Sequence, residues 1–118
     1  MLSNSGINKV LLLGKITNDP FISCYVRDQN YVSATLVTSE HVKRGDDNVE
    51  HKEYHKIKIP EKLLFQDRLQ LKAGQVVFIE GKIHTDAIID NDNIKRYNLE
   101  VIVNKLEILN LVAYLSNN

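Results

Sequence analysis

The sequence predicts a mainly β domain: a small, curled, five-stranded barrel with one helix between its third and fourth strands. Three stretches predict it. Tyr54 to Ile59 alternates with the two-residue period of a half-buried strand. Glu61 to Lys72 carries the strongest helical spacing in the chain. Val76 to Ile83 then returns as an apolar strand broken by Gly81.

The length of 118 residues suits one domain with one modest core. We place that domain over residues 1–110 and a short C-terminal extension over 111–118. An apolar fraction of 43%, with only five Gly and two Pro, excludes a low-complexity fibre or a disordered chain. Fifteen basic residues balance fifteen acidic ones. A polyanion would therefore be attracted by a local patch and not by the molecule as a whole. Cys24 is the sole cysteine, so no intrachain disulfide can form, and it reads as a small, half-buried apolar residue. No apolar run reaches bilayer length, and Met1 to Ile7 lacks the features of a signal peptide, so a soluble intracellular protein without membrane contact is expected.

Lys9 to Ile16, KVLLLGKI, is too short for a convincing helix and reads as the first strand. Val10 to Leu13 are apolar without alternation. One face of this strand should therefore meet the core and the other a second subunit. Gly14 marks a bulge or bend that lets the sheet curl. Phe21 to Val26 forms a short strand of uncertain register. In Tyr31 to Thr38, the residues Val32, Ala34 and Leu36 share the core face. Lys43 to Asn48, KRGDDN, reads as an exposed, mobile loop.

In Tyr54 to Ile59 the residues His55, Ile57 and Ile59 take one face, while Tyr54, Lys56 and Lys58 take the other. Pro60, which cannot donate a backbone hydrogen bond, ends that strand. Pro60 before the helix, Glu61 in its first turn and Gly74 after it match the preferences of helix ends. In the strand Val76 to Ile83, the residues Val77, Ile79 and Ile83 point one way. Asp90 to Asn93 supply a turn, and Tyr97 to Val103 return as the last strand of a hairpin. Leu106 to Leu115 is apolar enough to pack, and residues 116–118 should fray.

Five strands with the helix in this position follow the order of the OB-fold, a Greek-key barrel. Periodicity alone leaves an unrelated α+β sandwich open. Catalysis finds little support. His51 and His55 have the i, i+4 spacing of a zinc helix, but Lys52 stands where a metalloprotease needs Glu, and on a strand the two would lie about 13 Å apart. We expect no metal, no cofactor and no enzymatic activity, since there is also no phosphate-cradling glycine loop.

Gly6 to Pro20, GINKVLLLGKITNDP, resembles the opening of bacterial and mitochondrial single-stranded DNA-binding proteins, G-[VI]-N-K-V-x-L-x-G-x-x-x-x-D-P. The resemblance continues through Thr38 to Glu40, Glu53 to His55, Lys72 to Gly74, Val77, Ile79 to Gly81, Arg96, Tyr97 and Glu100 to Val103. It covers residues 6 to 109 and implies an OB-fold. It also implies a homotetramer that coats single-stranded DNA, without sequence preference, in replication, recombination and repair. The corresponding setting is cytoplasmic and nucleoid-associated, or an organelle such as the mitochondrial matrix if the chain is a processed form.

Such binding needs cations that track phosphates and flat side chains on which bases stack. The chain holds five Tyr, three Phe and no Trp. Where relatives place aromatics it has Val42, Tyr54, Pro60 and Ile88, leaving Tyr54 as the stacking platform. Pattern alone would read Tyr54 as a sheet cover and Lys56 and Lys58 as solubilising residues; the resemblance turns Tyr54 and Lys56 toward binding. Tyr54, Lys56, Lys58 and Lys82 are the expected centre of the site. Lys9, Lys15, Lys43, Arg44, Lys62, Lys72, His84 and Arg96 are further candidates. Tyr97 is expected to be structural. Asp86 stands where relatives often carry arginine, and Ser5 where they are often basic, which predicts a weak, salt-sensitive binder. The end of the sequence, VAYLSNN, has no acidic tip, so recruitment of repair enzymes by that route is not expected. The alternative reading is an OB-fold accessory or interaction module, primosome-type or encoded by a plasmid or phage, with weak nucleic-acid binding.

Overall fold

A computed structural model describes residues 5–26, 29–66 and 71–109, with side chains at 21–26, 29, 65 and 66 left aside. The strands are β1 (Val10–Ile16), β2 (Phe21–Val26), β3 (Gln29–Arg44), β4 (Asp47–Pro60), β5 (Val76–Ile89) and β6 (Lys95–Leu109), with helix α1 (Glu61–Gln66) after β4. The sheet runs β1-β5-β6-β4-β3-β2 and closes through a further β1–β3 pairing. Five strands thus form the barrel, and β2 is an appendage paired with β3. The helix follows the third barrel strand, as predicted.

Closure depends on glycine. β1 pairs with β5 from Val10 to Lys15 and changes partner at its end, where Lys15 and Ile16 lie opposite Val37 and Leu36 of β3. A Cβ at Gly14 would stand 2.2 Å from the Val37 carbonyl oxygen, so only glycine permits this approach. Gly81 does the same between β5 and β6: its Cβ would meet the Ile102 oxygen at 2.3 Å, beside a register shift between Glu80 and Gly81. That bulge sharpens the curl of the sheet.

The core is the apolar set that alternation selects: Ile16, Val32, Ala34, Leu36, Ile57, Ile59, Val77, Ile79, Val101 and Val103, closed by Leu64 of α1. Each large member contributes about 1.5 to 3 kcal/mol by leaving water. Ile83 departs from its expected place. It has core parity and lies opposite buried Val101, yet is 45% exposed, because the β1–β5 pairing ends at Gly81 and leaves the other side of β5 uncovered there; past it, β5 and β6 run on together as an arm. The second face of β1 is likewise open in the single chain, where Leu11 and Leu13 are 57% and 56% exposed.

Two local expectations change. Lys43 to Asn48 is exposed as expected but forms the tip of a β3–β4 hairpin and not an irregular loop, with Lys43 opposite Asn48 and Arg44 opposite Asp47. Gly45, at φ 64°, supplies the positive dihedral that so tight a turn needs. The strands beyond Thr38 leave no mark in the sequence because both faces of the arm are wet, which removes the alternating signal. The helix is also shorter than Glu61 to Lys72. Residues 67–70 lie outside the described residues, and Leu71 and Lys72 are not helical. Their stretch has other hydrogen-bond partners: the Lys72 amide donates to Gln75 Oε1, Ala73 to Asp19 Oδ1 and Gly74 to the Ile16 carbonyl. Gly74, expected as the stop of the helix, has φ 90° in the turn that leads into β5, with no helix reaching it at Leu71 or Lys72. The expected extension at 111–118, the packing of 110–115 and the side chain of Cys24 lie outside the described residues.

Candidate nucleic-acid interface

The outer face of β4 is built by the same alternation that fills the core. Because Ile57 and Ile59 point inward, Tyr54, Lys56 and Lys58 must point outward. Tyr54 is 64% exposed and lies opposite Val37 of β3, which in turn lies opposite Lys15 of β1. Lys15 therefore stands about two strand spacings, roughly 10 Å, from Tyr54 on the same face. Lys58 lies opposite Ile102 of β6, and Ile102 opposite Lys82 of β5, so Lys58, Ile102 and Lys82 form a second row across the sheet. Lys15 and Lys56 thus flank the exposed Tyr54, and Lys58 with Lys82 forms a second row four residues, roughly 13 Å, farther along β4.

Two of these lysines are engaged. The Lys56 ammonium donates to Asn98 Oδ1 at 3.4 Å. The Lys58 ammonium pairs at 3.0 Å with Oε2 of Glu100, whose side chain is only 6% exposed. Glu100 Oε1 is buried with no hydrogen-bond partner. Ser33, Thr35, Lys56, Lys58, Asn98 and Glu100 line an open groove of about 290 Å³ between β3, β4 and β6. Lys58 is therefore a half-buried bridge between strands, in contrast to the freely exposed cation its parity suggested. Sequence reasoning named Glu100 only as part of the resemblance. The sequence carries only part of the signal, an acid on the outer parity of the apolar run Leu99 to Val103; that it meets Lys58 follows from the β4–β6 pairing.

The remaining candidates scatter. Lys82 and Lys62 share a second groove of about 340 Å³, lined also by Pro60 and Asn104. His84 continues the outer face of β5 opposite Glu100, with its Nε2 2.9 Å from Asp86 Oδ1. Lys72 lies in the Gly74 turn near the end of β1. Lys9 pairs with Glu80 at 2.9 Å beside the apolar patch of Leu11, Leu13 and Phe78. That bond, supported by Lys105, holds the Glu80 carboxyl below the usual range. Lys43 and Arg44 sit at the β3–β4 tip, six and seven residues beyond Val37 and hence roughly 20 to 23 Å from the Tyr54 row.

Arg96 serves the β5–β6 turn. Its Nε donates to Asp90 Oδ2 at 2.7 Å, and the amides of Asp92 and Ile94 donate to Asp90 Oδ1. These bonds, the Arg96 one foremost, hold the Asp90 carboxyl below its ordinary range. Tyr97 is not packed away as expected. It is 67% exposed on the arm, with the Lys95 ammonium 5.4 Å from its ring centre. The arm leaves the barrel before Tyr97, so its inward parity faces no core. His51 and His55 bond to Glu53 and Thr38 respectively. Among the described residues no cluster of three or more His, Cys, Asp or Glu could hold a metal, and no helix is long and apolar enough to cross a membrane.

The Single-strand binding protein family matches residues 7–109. Single-stranded DNA-binding protein 1 of Chlorobaculum tepidum is 35% identical over 106 residues, covering 88% of this chain and 65% of the relative. The single-stranded DNA-binding protein of Xylella fastidiosa is 31% identical over 105 residues, covering 88% of this chain and 64% of the relative. The chain thus spans just under two thirds of the length of these relatives. Among solved structures, the Plasmodium falciparum SSB complex with ssDNA superposes with a TM-score of 0.78 at 19% identity, over 92% of this chain and all of the other. A deletion mutant of the Thermus aquaticus single-stranded DNA binding protein gives 0.74 at 20% identity, over 89% of this chain and 51% of the other. These two support the OB-fold barrel. The match over residues 7–109 shows that the chain belongs to the Single-strand binding protein family.

Proposed function

We propose that this protein binds single-stranded DNA without catalysis, and that the outer face of β4 is the centre of its site. One observation carries the reading: Tyr54 stands exposed between Lys15 and Lys56, with Lys58 and Lys82 farther along the same curved sheet. The ring offers a stacking surface and the lysines offer phosphate partners, the two requirements of strand binding without base reading. The names of the relatives agree with this reading. His84 extends the path along β5, Lys62 on α1 lines the groove beside Lys82, and Lys72 lies in the turn whose Gly74 amide bonds the carbonyl of Ile16. Lys9 and Arg96 are committed to neighbouring carboxylates and take a lesser part. Titration of fluorescent oligothymidine against a duplex of equal length tests this: tighter binding of the single strand supports it, and no binding at low salt would sink it.

A homotetramer belongs to the same proposal. Leu11, Leu13 and Phe78 form an exposed apolar patch, with Leu13 directly opposite Phe78, that a second copy would cover. The same patch favours the second reading, an interaction module whose oligomer matters more than its DNA. Affinity for oligothymidine that survives loss of Tyr54 and Lys56 would favour that module.

A further inference from the structure

We propose that one face of the β5–β6 arm is a contact between copies of this protein, closed only when a single strand holds them side by side, so that long strands are coated cooperatively. This inference rests on the single-strand-binding reading above. Its first support is how the hairpin sorts its side chains. The rows Thr85–Leu99, Ala87–Tyr97 and Ile89–Lys95 continue the face that begins at Ile83, and Lys95 is the only charged residue among them. The opposite face and the turn hold the His84–Asp86 and Arg96–Asp90 pairs. Leu99, Tyr97 and Ile89 are each more than half exposed and Ile83 nearly half, a strip that runs roughly 20 Å along β5. Large apolar side chains gathered on one nearly uncharged face mark a contact surface. The sequence hides it, because Ile88 lies on the charged face and the small Thr85 and Ala87 on the apolar one.

Charge argues for a protein surface here and against a further DNA contact. On the arm Asp86, Asp90 and Asp92 outnumber Lys95 and Arg96, and Arg96 is already paired with Asp90. A phosphate backbone finds little to hold there.

Area and symmetry then select the partner. Four side chains exposed to this extent offer on the order of 400 Å² per copy, hence ~800 Å² in a pair, short of the ~1,000 Å² that a stable interface clears. Such a face does not hold a partner drawn from dilute solution. Copies tethered to one strand meet at an effective concentration in roughly the millimolar range, where a weak contact closes. The face is also self-complementary. In an antiparallel twofold pair centred on the Ala87–Tyr97 row, apolar rows meet apolar rows and the two Lys95 stand roughly 13 Å or more apart. The patch of Leu11, Leu13 and Phe78 lies toward the start of β5 and on its other face, so both contacts can be made at once.

The test uses Tyr97→Thr combined with Leu99→Thr, which removes the apolar centre but keeps charge and strand preference. Fluorescence titration compares a short oligothymidine that holds one protein assembly with an oligothymidine of twice that length. Wild-type protein should fill the second place on the longer strand about tenfold more tightly than the first. The double variant should fill both places equally, while binding the short strand within about twofold of wild type, which also reports that it folds. Tyr97→Phe, which keeps the ring, should retain the preference. Equal filling by the wild type, or a preference that survives in the double variant, overturns the inference. So does an equal loss on both strands with folding intact by circular dichroism, since the arm would then be a DNA contact. Light scattering without DNA should give wild type and double variant the same mass; a smaller variant would place the contact in the free oligomer and also overturn it. Failure of the wild type to bind the short strand at low salt would instead overturn the single-strand-binding reading itself.

Discussion

Among the described residues, Tyr54 is the one large aromatic raised from the β4 face, so stacking at the proposed site falls largely to it. Tyr54→Ala should weaken binding of oligothymidine by about 1 to 3 kcal/mol, measured by titration with folding checked by circular dichroism. Lys58 behaves differently from its neighbour Lys56. Lys58→Ala strips the buried Glu100 of its counter-charge, so it should cost stability, about 3 kcal/mol by denaturant unfolding, and the double change with Glu100→Gln should cost much less. Lys56→Ala should cost affinity and little stability, since its ammonium makes a long, exposed bond to Asn98. Parity in the sequence placed both lysines outward correctly. It could not show that one of them meets a carboxylate, because Lys58 and Glu100 are 42 residues apart and joined only by the parallel β4–β6 pairing.

At the scale of elements, the glycines set the closure of the barrel and the turns hold its arms. Gly81→Ala must push its new methyl against the Ile102 carbonyl, so we expect a loss of about 1 to 3 kcal/mol in thermal unfolding. The β5–β6 turn depends on an ionised Asp90. Its folded-state pKa is lowered chiefly by Arg96, so its stabilising effect is complete above the ordinary aspartate range, about 3.9, and fades as pH falls through the lower folded value. Hydrogen exchange at the Ile94 amide should therefore stay protected to below that ordinary range, and Asp90→Asn should weaken protection at neutral pH. The barrel strands are legible in the sequence because one face of each meets the core. The arms are not: Ser39 to Lys52 and Thr85 to Tyr97 are wet on both sides and carry no period. For the same reason parity, though it assigns Ile83 and Tyr97 to the correct side of their strands, does not make them core or packed residues. The apolar spacing extends the helix to Lys72 on paper because Leu71 continues it, while the neighbouring amides serve Gln75, Asp19 and Ile16.

Taken whole, the molecule is electrically neutral, so its attraction for DNA should come from the local field around Tyr54 and fall with salt in proportion to the few phosphates held there. Leu11→Asp with Phe78→Asp should reduce the assembly seen by light scattering from a multiple of the 13.5 kDa chain toward the single chain. The unalternating run Val10 to Leu13 gives β1 a second apolar face, which Leu11 and Leu13 leave exposed in the single chain. Phe78 joins it only through the β1–β5 register, which pairs it with Leu13. The most direct test is a salt-dependent titration of oligothymidine with wild-type protein and with Tyr54→Ala, Lys56→Ala, Lys82→Ala combined, leaving the Lys58–Glu100 pair intact. The wild type should bind at low salt, and its affinity should fall on a log–log plot. The variant should bind at least about tenfold more weakly, with a slope shallower by about 0.7 for each phosphate that its missing lysines no longer hold. Equal affinities and equal slopes for the two proteins would contradict a binding site on the β4 face.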